Sequence, residues 1–289
     1  MTTWMQKKID LPTALSWIIG SVFLITGSIY SFLKTLPQTG FSQSSVEFII
    51  RKIIQTGPQR DALTTDHLAE IMGLSQDVPT NIFRFDPDEA TQKLLAISLL
   101  KEAKVELIHP DTVYVDYTMR EPIAMVYDYE NIAIDEEGFL FPFSPFYSPK
   151  ALPEFYFGLD SSFSWDKPIK SASFDLARRL LKLLQPITSE QHLCLKRIDV
   201  SNAFHKSLGR QEVVIEITHE AQLFTLAPQQ RFVHYLRLSP QNYGQQLGNY
   251  FALHRELVIG LSLQEGIQTR VIDLRIEGFA LVNEPAKSN

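Results

Sequence analysis

Asp116, Arg120 and Glu121 stand close together in "IHPDTVYVDYTMREPIA", residues Ile108 to Ala124, and as a set could supply an acid, a cation and a base to one reaction. Other stretches invite similar readings. "DEEG" (Asp135 to Gly138) has the carboxylates to hold a cation. Ser31-x-x-Lys34 and Ser164-x-x-Lys167 fit the nucleophile motif of penicillin-binding enzymes, and His219-Glu220 opens like a zinc-protease helix. Each lacks a second requirement. Neither S-x-x-K is accompanied by S-D-N or K-T-G, and four residues after His219 stands Leu223 rather than His. "DEEG" reads better as an acidic turn between two strands. The seven His are scattered, and neither they nor Cys194 form a ligand pair at helical or hairpin spacing. No glycine-rich phosphate cradle of either common type is present. Cys194, between Leu193 and Leu195, reads as a buried small hydrophobe rather than a nucleophile. The chain therefore reads as a non-enzyme without metal or cofactor.

The elements that carry these charges explain them differently. Val113, Val115, Tyr117 and Met119 alternate with Tyr114, Asp116, Thr118 and Arg120, the period of a half-buried strand. His109-Pro110-Asp111 before it makes a tight turn. The alternation places Asp116 and Arg120 on the solvent side of a hairpin. Pro122 cannot donate to a ladder, so Arg120, Glu121 and Pro122 mark a joint where the chain passes into a second domain.

At 289 residues the chain has room for about two such domains, each able to bury a core without cross-links. A net charge of −6 argues against a nucleic-acid binder, and a single cysteine excludes an intrachain disulfide. The strongest local signal is "LSWIIGSVFLITGSIYSFL", Leu15 to Leu33, which holds no charge and is long enough to cover most of a hydrocarbon core of about 30 Å. Lys7 and Lys8 precede it and only Lys34 follows closely, so the positive-inside rule places residues 1–14 in the cytoplasm and the rest outside. A cleaved signal peptide is the alternative, but its apolar run is normally shorter and ends in small residues. Ser16, Gly20, Gly27 and Ser31 fall near one face of the span, where small residues allow close helix packing.

A polar linker over residues 34–45 leads to a compact unit at 46–124. "VEFIIRKII" reads as a strand and "TTDHLAEIMG" as a short helix with Thr64, Thr65 or Asp66 as cap and Gly73 as stop. In "DPDEATQKLLAISLL", Asp86 can cap, Pro87 fits the first helical position and Glu89 stands where a capping-box acid would. "AKVELIH" and the opening hairpin partner complete the order strand, helix, helix, strand, strand. Residues 125–283 form a β-rich unit with two helices. In one of them Phe174, Ala177, Leu180, Leu181 and Leu184 share a face. The other runs from about Gln241 to Val258, with Tyr243, Leu247, Tyr250, Phe251 and Leu257 inward. Strand-like runs "CLKRIDV", "EVVIEIT", "QLFTLA" and "RFVHYLRL" fill the space between, and 284–289 is a polar tail. The fold class is α+β.

This order resembles the FtsQ/DivIB family of bacterial cell-division proteins. "GPQRDALTTDHLAEIMGL" and "NIFRFDPDEATQKL" look like the helices of the family's POTRA domain. "VELIHPDTVYVDYTMREPIAMV" resembles the POTRA border, with Arg120-Glu121-Pro122 in an inexact order. "IAIDEEGFLF" looks like the strand that follows, and "VIDLRIEGFALV" like the closing strand pair, with Asp273, Leu274 and Arg275 in place. Ile276 stands where relatives carry an aromatic. The resemblance implies a scaffold in the inner membrane at the division septum. It would join FtsB-like and FtsL-like coiled-coil membrane proteins and other divisome members into a complex controlling septal wall synthesis. It also implies a partner contact on the terminal segment Arg275, Ile276, Glu277, Gly278, Phe279, Ala280, Leu281 and Val282, where an edge strand can accept a partner strand. The alternatives are a POTRA-bearing envelope assembly or secretion factor and a membrane-tethered hydrolase. The first needs a long run of barrel strands that the remaining residues do not offer, and the second needs the motifs found wanting above.

Overall fold

A computed structural model describes residues 48–159, 167–191, 193–221, 230–259 and 267–283. The expected span, its small-residue stripe at Ser16, Gly20, Gly27 and Ser31, both S-x-x-K serines and "QLFTLA" lie outside the described residues. Among those that are described, no helix is long and apolar enough to cross a membrane.

The first unit follows the expected order: β1 (Lys52–Thr56), α1 (Thr65–Met72), α2 (Pro87–Leu95), β2 (Leu100–Ile108) and β3 (Thr112–Met119), with a 3-10 turn at Ile82–Arg84 before α2. The sheet order is β1-β3-β2, with β1 parallel and β2 antiparallel to the central strand. The first strand starts later than "VEFIIRKII" suggests. Lys52 pairs with Thr112, the first residue of β3, and before that point the neighbouring chain is turning. Ile49 makes only an isolated bridge to Asn81.

Local chemistry sets the helix ends. Thr64 Oγ1 accepts from His67 N at 3.3 Å, and Gly73 closes α1 with a left-handed φ of 77°. Asp86 caps α2 by accepting from both Asp88 N and Glu89 N, at 2.9 and 3.1 Å. Glu89 is not the reciprocal acid of a capping box. Its carboxylate reaches forward to Lys93, 2.7 Å away, where it makes an i, i+4 ion pair. Asp86→Ala is expected to cost about 1 kcal/mol, read from denaturant unfolding. Leu68, Met72, Ala90 and Leu94 then close over Val113, Val115, Tyr117 and Met119, all buried as the alternation predicts.

The second unit is a nine-stranded sheet in the order β12-β11-β10-β9-β8-β7-β4-β5-β6. Its strands are β4 (Ala124–Val126), β5 (Ile132–Ile134), β6 (Leu140–Pro142), β7 (Glu154–Tyr156), β8 (Cys194–Asp199), β9 (Val213–Ala221), β10 (Gln230–Leu238), β11 (Ile267–Asp273) and β12 (Leu281–Asn283). Helix α3 (Ala172–Glu190) links the parallel pair β7 and β8, and α4 (Tyr243–Ile259) links the parallel pair β10 and β11. Both crossovers step the same way across the sheet, so crossovers of one hand bring both helices to one face. Phe174, Ala177, Leu180, Leu181 and Leu184 of α3 and Leu247 and Tyr250 of α4 share a single core. Tyr243 and Phe251 pack at its margin, and the Leu257 side chain lies outside the described residues.

Cys194 is exposed, contrary to the buried hydrophobe expected. It opens β8, where side chains alternate across the sheet, so Leu193 turns inward and Cys194 outward.

The passage between the units corrects a further expectation. Asp116 is exposed and accepts from Thr56 Oγ1 at 2.8 Å, as a solvent-side residue can. Arg120, one step beyond the end of β3, is buried. Its Nη1 lies 2.7 Å from Asp135 Oδ2, its Nε donates to Ser98 O at 3.0 Å, and its guanidinium sits 3.7 Å above the centroid of Phe139. The alternation ends with the strand, and the acidic turn between β5 and β6 supplies the counter-charge. Asp135 is therefore the anion of a buried pair as well as a turn residue. Glu121 stays exposed, Pro122 is half-buried, and β4 begins in the second sheet at Ala124. Ala133 and Phe141 from the β5–β6 hairpin complete the core of the first unit, which joins the two packing layers.

Candidate partner-binding site

At one end of the nine-stranded sheet, β9, β10 and β11 bring four charges together. Arg237 Nη2 lies 2.6 Å from Glu212 Oε2 and its Nη1 3.2 Å from Asp273 Oδ2. Arg275 contacts the same two acids, with Nη2 2.7 Å from Asp273 Oδ2 and Nη1 3.2 Å from Glu212 Oε2. Burial works to raise the Asp273 carboxyl, but hydrogen bonds from the Arg275 side chain and backbone and the charge of Arg237 outweigh it and hold its pKa below the usual value. In the free chain Arg275 is thus engaged within its own fold. It fixes the bend that follows β11.

That bend replaces part of the expected closing strand. Ile276 to Ala280 form a turn: Phe279 N donates to Ile276 O at 3.2 Å, and Gly278 has a φ of 77° that favours glycine. Only Leu281–Asn283 pair with β11, in the register Asp273↔Leu281, Ile272↔Val282 and Val271↔Asn283. Phe279 precedes the strand and does not alternate with its residues. Strand β12 is the outermost strand among the described residues, and none of them forms a strand on its outer backbone edge.

The segment is apolar and open. Phe279 is 67% exposed and Ile276 54%, while Leu281 and Val282 are also exposed. Glu277 and Ala280 are exposed between them. Leu274, which opens the turn, is buried and donates its N–H to Arg237 O at 2.9 Å, so the base is fixed and the tip is free. A cleft of about 360 Å³ separates the turn from α4, with Gln245, Gln246, Asn249 and Leu253 facing Ile276 and Phe279.

Helix α4 is tied to the sheet by residues that spacing alone does not find. His234 of β10 is buried, and its Nδ1 lies 2.8 Å from Tyr250 Oη. The His254 ring, one helical turn beyond Tyr250, sits 5.9 Å from the His234 ring and 5.8 Å from His219 of β9. No group among the described residues has the arrangement to hold a metal ion. Burial, and then the charges of His254, Arg270 and His219, push His234 down to about 4. Burial and His219 lower His254 in the same direction, and burial raises the Tyr250 hydroxyl. The only sequence hint was the i, i+4 spacing of Tyr250 and His254 on one helix face.

A three-stranded sheet with two helices in strand-helix-helix-strand-strand order defines the first unit as a POTRA-type domain. Residues 48–116 match the family described as "POTRA domain, FtsQ-type", so the chain carries an FtsQ-type POTRA domain, in agreement with the FtsQ/DivIB resemblance. Domains of this type are generally non-enzymatic and point to a scaffold related to cell division. No curated protein matches the chain.

Proposed function

We propose that this chain is a division scaffold, anchored by residues 15–33 with a cytoplasmic N-terminus, that captures a small coiled-coil membrane partner of the FtsB type on its C-terminal edge. Through that partner it would hold an FtsL-like protein and bear on septal wall synthesis. The observation carrying this reading is the β12 edge, which no described strand covers, with four open apolar side chains, Ile276, Phe279, Leu281 and Val282. A partner strand added to β12 gains backbone hydrogen bonds, while Phe279 and Ile276 offer apolar anchors beside the α4 cleft.

The test is capture of the membrane partner by the tagged full chain. Phe279→Glu is expected to weaken capture about thirtyfold, the equivalent of about 2 kcal/mol at an anchor residue. Its circular dichroism should be unchanged, because the side chain is mostly in solvent. Gly278→Pro should act likewise, since proline fixes φ near −65° where the turn needs 77°. Undiminished capture by both folded variants overturns the reading. A fluorescent fusion tests location, with enrichment at midcell expected and uniform envelope staining counting against it.

A further inference from the structure

The POTRA domain has an apolar end, and we propose that this end rests in the lipid headgroup region of the bilayer that anchors the chain. The proposal depends on the anchor at residues 15–33 proposed above.

Three segments meet at that end. Phe48, where the described chain begins, packs its ring on Phe83 with centroids 5.0 Å apart, and Phe83 lies 5.4 Å from the ring of His109. Ile50 N donates to Thr80 O at 3.0 Å and Arg51 N to Asp111 O at 2.8 Å. The entry to β1, the stretch before α2 and the β2–β3 turn are thereby held side by side. Val78 is 74% exposed, and Phe83 and Ile108 are also open. None of the three belongs to the core of the domain. Single exposed hydrophobes are ordinary, but these are grouped around the point where the chain enters the domain.

The point where the chain enters identifies the neighbour. The apolar run ends at Leu33, so the fourteen residues 34–47 join it to Phe48. Such a connection reaches at most about 50 Å. The other end of the domain, where β3 stops at Met119 and the second sheet takes over, stands farther along the strands by about 25 Å for the eight residues of β3. The linker enters the domain beside Phe83, on the end that bears Val78, Phe83 and Ile108, so of the two ends this one lies nearer the anchor along the chain. Aromatic and aliphatic side chains of this kind partition to the boundary between headgroups and acyl chains. Arg51, Lys52 and Arg84 are exposed nearby together with Asp77, so anionic headgroups add to what is chiefly an apolar contact.

The experiment uses the full chain carrying Cys194→Ser, with a fluorophore attached at Val78→Cys or, as a control, at Glu102→Cys near the far end of β2. Each protein is placed in nanodiscs of phosphatidylethanolamine and phosphatidylglycerol containing headgroup-nitroxide lipid. Quenching is expected to be several-fold stronger at position 78 than at 102, and to fall toward the control when Phe83→Glu is added. Alkaline extraction of native membranes is run in parallel. If the chain resists extraction but the two positions quench equally, the docked end is wrong and the anchor stands. If the chain is extracted, the anchor itself fails and the proposal falls with it.

Discussion

Arg120→Ala is expected to destabilise the two-domain unit by about 3–5 kcal/mol, the usual cost of removing one member of a buried ion pair. The Arg120 and Asp135 side chains are 10% and 7% exposed, so little water is at hand to replace the lost partner. Asp135 cannot swing away, because its other oxygen accepts from Glu137 N at 2.9 Å and Phe139 N at 2.8 Å. The carboxylate is held in place by its own turn and would be left without its partner in a nearly dry site. A loss of this size corresponds to about 10 °C in Tm for a unit of this length. Arg120→Lys should fall between the two, since lysine keeps the charge but cannot reach Ser98 O and Asp135 together or stack on Phe139. Arg120→Met combined with Asp135→Asn should recover part of the loss, because Asn keeps an acceptor for the turn and carries no charge. Denaturant unfolding of the four proteins decides the matter. A change below about 1 kcal/mol for Arg120→Ala would show that the pair does not hold the joint.

The same turn is gripped from both sides. Lys101 of β2 lies 2.8 Å from Glu137, while Lys182 and Arg178 of α3 approach Glu136. The hydrogen bond from Lys182 lowers Glu136, and that from Lys101 lowers Glu137. These outer pairs are solvent-exposed and therefore orient the turn more than they stabilise it. The β5–β6 turn works as a wedge between POTRA domain and second sheet, with Arg120 as its buried pin. Such a joint fixes the direction from the POTRA domain to the β12 edge.

What the sequence revealed and what it hid divide along the distance between interacting residues. The buried face of β3, the caps at Thr64 and Asp86 and the apolar stripe of α3 follow from contacts within one element, and period and cap chemistry register those directly. Arg120 was misread because the alternation was carried one residue past Met119, where the strand ends. Its partner lies fifteen residues away in a turn that no periodic pattern marks. Cys194 was misread because an apolar triplet looks buried until strand alternation splits it. The histidines were invisible for a related reason. His219 and His234 come from neighbouring antiparallel strands and His254 from a crossover helix, so spacing tests applied within one element never see the three together. On the terminal segment, residue types pointed to an open apolar edge. The bend at Gly278 and the internal engagement of Arg275 required the fold.

The second large effect is expected in acid. His234 titrates at about 4 when folded and near 6.5 in the unfolded chain. Above pH 6.5 neither state binds this proton and stability is at its full value. As pH falls from 6.5 toward 4 the unfolded chain takes up the proton while the folded one resists it, so stability is lost across that window and the loss levels off below it. A difference of about 2.5 units corresponds to about 3 kcal/mol from this residue. His254, lowered in the same direction, adds to the loss. Among the described residues, Tyr250 and His254 from α4, His219 from β9 and Arg270 from β11 face His234, and none of these is an acid. His234→Gln keeps a polar group beside Tyr250 Oη without titrating. The difference in stability between pH 7 and pH 4 should therefore shrink by about 3 kcal/mol in that variant, measured by circular dichroism of the full chain in a denaturant series at each pH. An unchanged difference would mean that His234 does not contribute to the acid response. Asp273 cannot imitate the effect in this window, because its pKa lies below the ordinary carboxylate value and its contribution is lost only at lower pH. Since α4 forms one wall of the cleft beside Ile276 and Phe279, acid that loosens its seat on the sheet should weaken the partner capture proposed above over the same pH range, and His234→Gln should protect it.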